Sequence, residues 1–400
     1  MSFSNLGLSP KVLSAVEAAG FETPTPIQEQ AIPIVVTGRD VLGIAQTGTG
    51  KTASFVLPML TRLERGRARA RMPRSLILEP TRELAAQVAE HFEILGKNHK
   101  LTVALLIGGV SYDEQDRKLD RGADVVIATP GRLLDHFERG KLLLNGIEIL
   151  VVDEADRMLD MGFQPQVDGI LAGLRSKHQT MFFSATLDGR VGKLARAYTN
   201  DPVRHEVVEK TLAIEDATHR FFPVDDASKL DELVRLLNTD ERDLALVFVR
   251  TKRGVDRLRK KLTARRVAAD AMHGGMTQSA RKRALDRFAK GRVDVLIATD
   301  VAARGLDLDG ITHVINFDPP HDHKDYVHRI GRTARAGRTG TGVTFVGTTQ
   351  RHEMSVMARE LKLSREFEAD GLRLSAPLRH RSATAKRPGR RPQRRRRQFH

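Results

Sequence analysis

Eight residues constrain the fold of this chain more than any others. Ala-Gln-Thr-Gly-Thr-Gly-Lys-Thr, positions 45–52, lies directly between a short apolar run, Val41–Ile44, and the amphipathic stretch Ala53–Leu63. A buried strand that turns through a glycine-rich loop into a helix predicts the first unit of a parallel α/β sheet. Backbone N–H groups of such a loop, here Thr47, Gly48, Thr49 and Gly50, point at phosphate oxygens, and the helix N-terminus adds a favourable field. Lys51 then holds the β- and γ-phosphates as a point charge, and the Thr52 hydroxyl ligates Mg2+. Ala45 stands where the pattern has its first glycine. A plain glycine-rich turn is the alternative, and it does not require Gly48, Gly50, Lys51 and Thr52 in register.

The same alternation of apolar runs and amphipathic stretches continues along the chain. Strands are predicted at Val41–Ile44, Ser75–Leu78, Val103–Ile107, Val125–Ala128, Ile149–Val152 and Thr180–Phe183. A second series follows at Leu244–Val249, Ala268–Met272, Val295–Ala298, His313–Asn316 and Val343–Val346. Strands buried on both faces and separated by helices imply parallel sheets. Ser9, Pro10 and Gly20 punctuate one helix at its cap, first position and end. The hexapeptides at Asp124–Thr129 and Asp294–Thr299 are near copies, which agrees with two α/β lobes. The expected units are a nucleotide-binding lobe over 1–205, a linker over 206–218 and a second lobe over 219–370. An Arg-rich disordered tail over 371–400 completes the chain.

Charge is concentrated rather than spread. The net charge is +16, and residues 373–400 carry ten Arg and one Lys with no acid, leaving the rest near +5. Such a tail either solubilises or binds a polyanion, and the cost of its self-repulsion favours the second. The stretch 62–74, with six Arg, reads as a solvated loop. The chain has no cysteine, which excludes disulfides, thiolate zinc sites, Fe–S clusters and cysteine nucleophiles. No apolar run reaches the roughly 20 residues that span a bilayer, and nothing at positions 1–10 resembles a signal peptide. A cytoplasmic protein without membrane contact is expected.

Ile149–Val152 ends in Asp153-Glu154-Ala155-Asp156. A carboxylate at the tip of a strand beside the phosphate loop is placed to hold Mg2+ through its water shell, the role of Asp153. Glu154 becomes the group that orients and deprotonates an attacking water. Together these residues point to hydrolysis of a nucleoside triphosphate.

At this point the chain resembles the DEAD-box ATP-dependent RNA helicases over about residues 1–350. Gly20-Phe21 through Pro24-Thr25-Pro26-Ile27-Gln28 is similar to the adenine-reading motif, with Phe3 as its detached aromatic. Gln28 would pair with adenine and Phe21 would stack on it, although Thr25-x-x-Gln28 also reads as a helix capping box. The resemblance assigns RNA-backbone contacts to Pro80, Thr81, Arg82, Gly109, Thr129 and Arg132. It assigns coupling of hydrolysis to strand separation to Ser184 and Thr186. In the second lobe it implies RNA contacts at Thr251, Gly274 and Thr299, and nucleotide contacts at Gly305 and Asp307. His328 lies in the last signature motif, in which Arg332 and Arg335 would be arginine fingers on the γ-phosphate. A solvated basic helix face is the alternative for that segment. His273-Gly274-Gly275 carries Gly where the family usually has Asp, and Leu187-Asp188 replaces the commoner Met-Pro.

The resemblance implies two tandem RecA-like domains using ATP and Mg2+. The substrates would be single-stranded and duplex RNA, structured or ribosomal, with RNA-processing proteins as partners. Three Tyr, no Trp and 16 Phe offer few stacking platforms, so backbone rather than base recognition is expected. A double-stranded DNA motor, a static RNA scaffold and a protein-remodelling ATPase are the rival classes.

Overall fold

The computed structural model describes residues 2–45, 49–187, 189–207, 217–239, 242–303, 308, 310–333 and 339–375. Thr47, Gly48, Gly305, Asp307, Arg335 and the tail from 376 onward lie outside the described residues.

Seven strands form the first sheet: β1 (Val41–Ile44), β2 (Ser75–Leu78), β3 (Val103–Leu106), β4 (Val125–Ala128), β5 (Ile149–Val152), β6 (Gln179–Ser184) and β7 (Val203–Glu206). Their order is β3-β4-β2-β5-β6-β1-β7, and each neighbouring pair is parallel. Six strands form the second: β8 (Ala217–Val224), β9 (Leu244–Phe248), β10 (Ala269–Met272), β11 (Val295–Ala298), β12 (Ile311–Asn316) and β13 (Gly340–Gly347). Here the order is β10-β11-β9-β12-β13-β8, again all parallel.

Successive strand residues face opposite layers, so each sheet divides its core in two. Ile77 and Phe183 join the helices Pro26–Val36 and Lys51–Leu63 on one face, whereas Leu76, Leu78 and Phe182 pack on the other. In the second sheet Leu246 and Phe248 face one layer, and Ala245 and Val247 the other. Phe182 and Phe183 are fully buried; each contributes about 2–3 kcal/mol by leaving water.

The two strands absent from the sequence reading, β7 and β8, are both at sheet edges. Alternate residues of β7 are exposed, as they are over much of β8, so neither shows the continuous apolar run of the interior strands. The segment around 62–74 is a loop, yet Arg74 within it is buried and ion-paired to Glu148 at 2.9 Å. Ser9 accepts from the Val12 N–H, with Pro10 first in its helix and Gly20 at φ 76° beyond its end. No helix among the described residues is long and apolar enough to cross a membrane.

Candidate functional site

Residues picked out by sequence gather at the carboxyl ends of the strands, where parallel sheets place their ligands. β1 leads into the phosphate loop, β2 into Pro80 and Thr81, β3 into Gly108 and Gly109, β4 into Thr129 and β5 into Asp153. Ala45 is tied to the end of β6 by its N–H to the Ser184 carbonyl, 3.0 Å away.

Gly50 caps the helix Lys51–Leu63 at φ 88°, a left-handed conformation suited to glycine. A Cβ there would also lie 2.5 Å from Gln28 Nε2. Gln28 is buried against the loop: its Oε1 accepts from the Thr25 N–H at 3.0 Å and its Nε2 donates to the Gly50 carbonyl at 3.1 Å. The capping-box and phosphate-loop contacts are thus held by one amide. Phe3 and Phe21 stack with ring centroids 6.4 Å apart.

Lys51 is buried, and its Nζ has no hydrogen-bond partner among the described residues; Asp153 Oδ1 is 3.8 Å away. Burial pulls the ammonium pKa down, but Asp153, Glu154, Asp156 and Glu79 together outweigh it and the net direction is up. Burial raises the Asp153 pKa, against the pull of Lys51. Asp153 Oδ1 accepts from the Glu154 N–H at 2.8 Å. Glu154 sits at φ 47°, ψ 51°, a left-handed conformation that is uncommon outside glycine. Its carboxylate is ion-paired to Arg157. Asp156 accepts from Thr186 Oγ1 at 3.4 Å, and the Thr186 N–H donates to Ser184 Oγ at 3.3 Å. A chain of contacts therefore links the end of β6 to the acidic motif. Thr52 is half-buried in the first turn of its helix. Thr49 is buried in the loop.

A cleft of about 290 Å³ is lined by Pro80, Thr81, Arg82, Thr129 and Arg132 from the first sheet's loops and by Gly274 and Arg281 from the second's. Arg82 packs over Gly109, where a Cβ would meet its Nη1 at 2.5 Å. Thr81 caps the helix Arg82–Leu95 through the Leu84 N–H. Arg132 donates to the Val110 carbonyl at 3.0 Å and lies 4.0 Å over the Tyr112 ring. The lobes meet through Arg281 and Glu83, an ion pair of 2.5 Å in which both side chains are only 4% exposed. Thr251 caps the helix Lys252–Ala264 through the Gly254 N–H, and the Thr299 carbonyl accepts from Ala302 and Ala303.

Beyond the cleft, His328 and Arg332 flank the end of the helix His323–Ile330, and Arg332 Nε donates to the His328 carbonyl at 3.2 Å. Arg329, to which the sequence reading gave no role, is the buried hub of the lobe. It bonds Asp300 at 2.6 and 2.8 Å, Asn316 at 2.9 Å and the Asp318 carbonyl at 2.7 Å. Glu79 was missed as well. It is wholly buried, with neither oxygen hydrogen-bonded among the described residues. Burial, then Asp153 and Glu154, push its pKa well up, against Lys51 and Arg157. The signal that identified Asp153, an acid directly after a parallel strand, was present at Glu79 too.

Comparisons with known proteins agree with this geometry. Residues 25–194 match the family model of the DEAD/DEAH box helicase, and residues 228–337 match that of the helicase conserved C-terminal domain. The chain is 41% identical over 368 residues to the DEAD-box ATP-dependent RNA helicase CshA of Bacillus subtilis (strain 168), covering 92% of this chain and 74% of that one. Against the protein of the same name from Geobacillus kaustophilus (strain HTA426) the identity is 41%, covering 91% and 78%. Among solved structures it is similar to S. cerevisiae Dbp5 bound to RNA and ADP BeF3, with a TM-score of 0.80, 32% identity and coverage of 91% and 94%. It is also similar to Mss116p bound to ssRNA and AMP-PNP, with a TM-score of 0.77, 28% identity and coverage of 92% and 77%.

Proposed function

This chain belongs to the DEAD-box ATP-dependent RNA helicases, and from that premise we propose how its own residues divide the work. It is an ATP-dependent enzyme with two RecA-like domains, and local, non-processive unwinding is typical of its family. The observation that carries the residue assignment is the buried Lys51 ammonium at the head of the first sheet, 3.8 Å from Asp153 and without a hydrogen-bond partner among the described residues. A cation held in that state has a polyphosphate as its natural complement.

In this reading the phosphate loop from Thr47 to Thr52 holds the phosphates, while Gln28 and Phe21 receive the adenine. Glu154, fixed in its unusual backbone conformation, orients the attacking water and takes its proton. The oxygen-only donor set of Thr52 and Asp153 fits Mg2+, which when bound neutralises the phosphate charge. Arg82, Thr129, Arg132 and Gly274 line an RNA track through the cleft, joined by Pro80, Thr81, Gly109, Thr251 and Thr299. Ser184 and Thr186 relay the state of the acidic motif. Gly305, Asp307, His328, Arg332 and Arg335 complete the nucleotide site from the second lobe when the cleft closes. The domains are taken as 1–205 and 219–370 with a linker over 206–218, and the tail over 371–400 as an added RNA contact. A structured or ribosomal RNA, RNA-processing partners and a cytoplasmic setting complete the reading.

Steady-state ATP hydrolysis by the full chain without nucleic acid, with single-stranded RNA and with matched DNA tests it. RNA alone is expected to stimulate strongly, and Glu154→Gln to retain ATP binding without turnover. Equal stimulation by DNA would remove the RNA preference, and an active E154Q would remove the assigned base.

A further inference from the structure

Glu79, at the head of the first sheet, has no task in the proposed function. It follows β2 directly, as Asp153 follows β5, and these strands are neighbours in register, with Leu78 beside Val152. The ladder continues past them, since Asp153 N–H donates to the Leu78 carbonyl at 3.1 Å and Glu79 N–H to the Ala128 carbonyl at 2.9 Å. Residues in register on parallel strands point to the same face, so Glu79 and Asp153 stand side by side. That face is opposite to the one Leu78 and Val152 share, and it is the face the helix Lys51–Leu63 covers.

Two features separate Glu79 from an ordinary buried acid. Its exposure is 0%, and neither carboxyl oxygen has a hydrogen-bond donor among the described residues. Buried oxygens are nearly always paired, because an unanswered one costs about 1–3 kcal/mol. Its charged neighbours are Asp153, Glu154, Lys51 and Arg157, so three carboxylates share two cations. This surplus of acceptors, beside the strand end that carries Asp153, is suited to donors that arrive with a ligand.

We propose that Glu79 is a third carboxylate of the Mg2+ site, accepting hydrogen bonds from the metal's water shell alongside Asp153. The inference rests on the metal role given above to Thr52 and Asp153. It makes Glu79 a positioning residue that acts through water and does not touch the nucleotide. Carboxylates that anchor a metal's ligands typically change its affinity by about 10–100-fold when removed.

The test titrates Mn2+ into the full chain with saturating ADP, reading free Mn2+ by electron paramagnetic resonance, for the unaltered protein, Glu79→Gln and Asp153→Asn. Affinity for a fluorescent ADP in EDTA is measured in parallel. Glu79→Gln is expected to weaken Mn2+ binding about tenfold while metal-free ADP affinity stays within about twofold. If D153N weakens Mn2+ and E79Q does not, Glu79 answers only Arg157 or an ordinary water, and the inference falls while the site reading stands. If neither variant changes Mn2+ affinity, the metal role of Asp153 falls as well. Should E79Q fail to fold, Glu79→Ala is read by the same two titrations.

Discussion

The heads of the two sheets treat buried charge in opposite ways. Above the first sheet, Lys51 Nζ, both Glu79 oxygens and two nitrogens of Arg157 are buried without hydrogen bonds among the described residues. Above the second, Arg329 reaches Asp300, Asn316 and the Asp318 carbonyl, all within 3 Å. Burial of a polar group is tolerable when the chain answers it and costly when it does not. In the proposed function the first head receives a ligand, whereas around Arg329 the second answers its buried charge with its own acceptors.

The largest effect that would break this contrast is at Lys51. Lys51→Met is expected to cut RNA-stimulated ATP hydrolysis by about a hundredfold or more, while the melting temperature of the ligand-free chain holds or rises. Hydrolysis within tenfold of the unaltered protein would mean that the ammonium does not serve a phosphate. Arg329→Met should do the reverse, costing about 3–5 kcal/mol by stranding Asp300 and Asn316. Denaturant titration of the ligand-free chain reads that loss, and an unchanged midpoint would remove the hub.

A smaller effect depends on pH. The folded-state pKa of Glu79 lies above that of the unfolded chain, so the folded state binds the proton more tightly. Its stabilising effect is full below the ordinary glutamate range near about 4.3 and is lost as pH rises toward the folded value. Ligand-free Glu79→Gln should therefore match the unaltered chain at low pH and exceed it increasingly toward neutrality. A gap that does not change with pH would contradict the burial of that carboxyl. The smallest expected change is in the second lobe, where Tyr326 is fully buried with its hydroxyl 2.7 Å from His219 Nδ1. Tyr326→Phe should cost about 1 kcal/mol in the same titration, since it removes one answered polar group.

The sequence made these heads unequally legible. Interior strands such as β1, β2 and β5 are short apolar runs, and the segments after them carry Lys51, Arg82 and Asp153 in spaced motifs. The edge strands β7 and β8 have no such run, because one side of each has no neighbour to bury against. Glu79 and Arg329 were hidden for another reason. Each lies inside or beside a motif whose other members drew the attention, and burial is what distinguishes them. No spacing rule states that Glu79 has no donor or that Arg329 has four acceptor contacts.

The Glu83–Arg281 pair carries a consequence for ionic strength. A pair this buried lies beyond the reach of counterions, which screen exposed charges over about 8–10 Å. Contacts between exposed Arg side chains and phosphates respond steeply to salt. With RNA in the cleft as proposed, raising salt should thus strip it away while leaving the grip between the lobes almost untouched. Parting them means hydrating two charges at once, so the cleft opens as a discrete step rather than as a loose hinge.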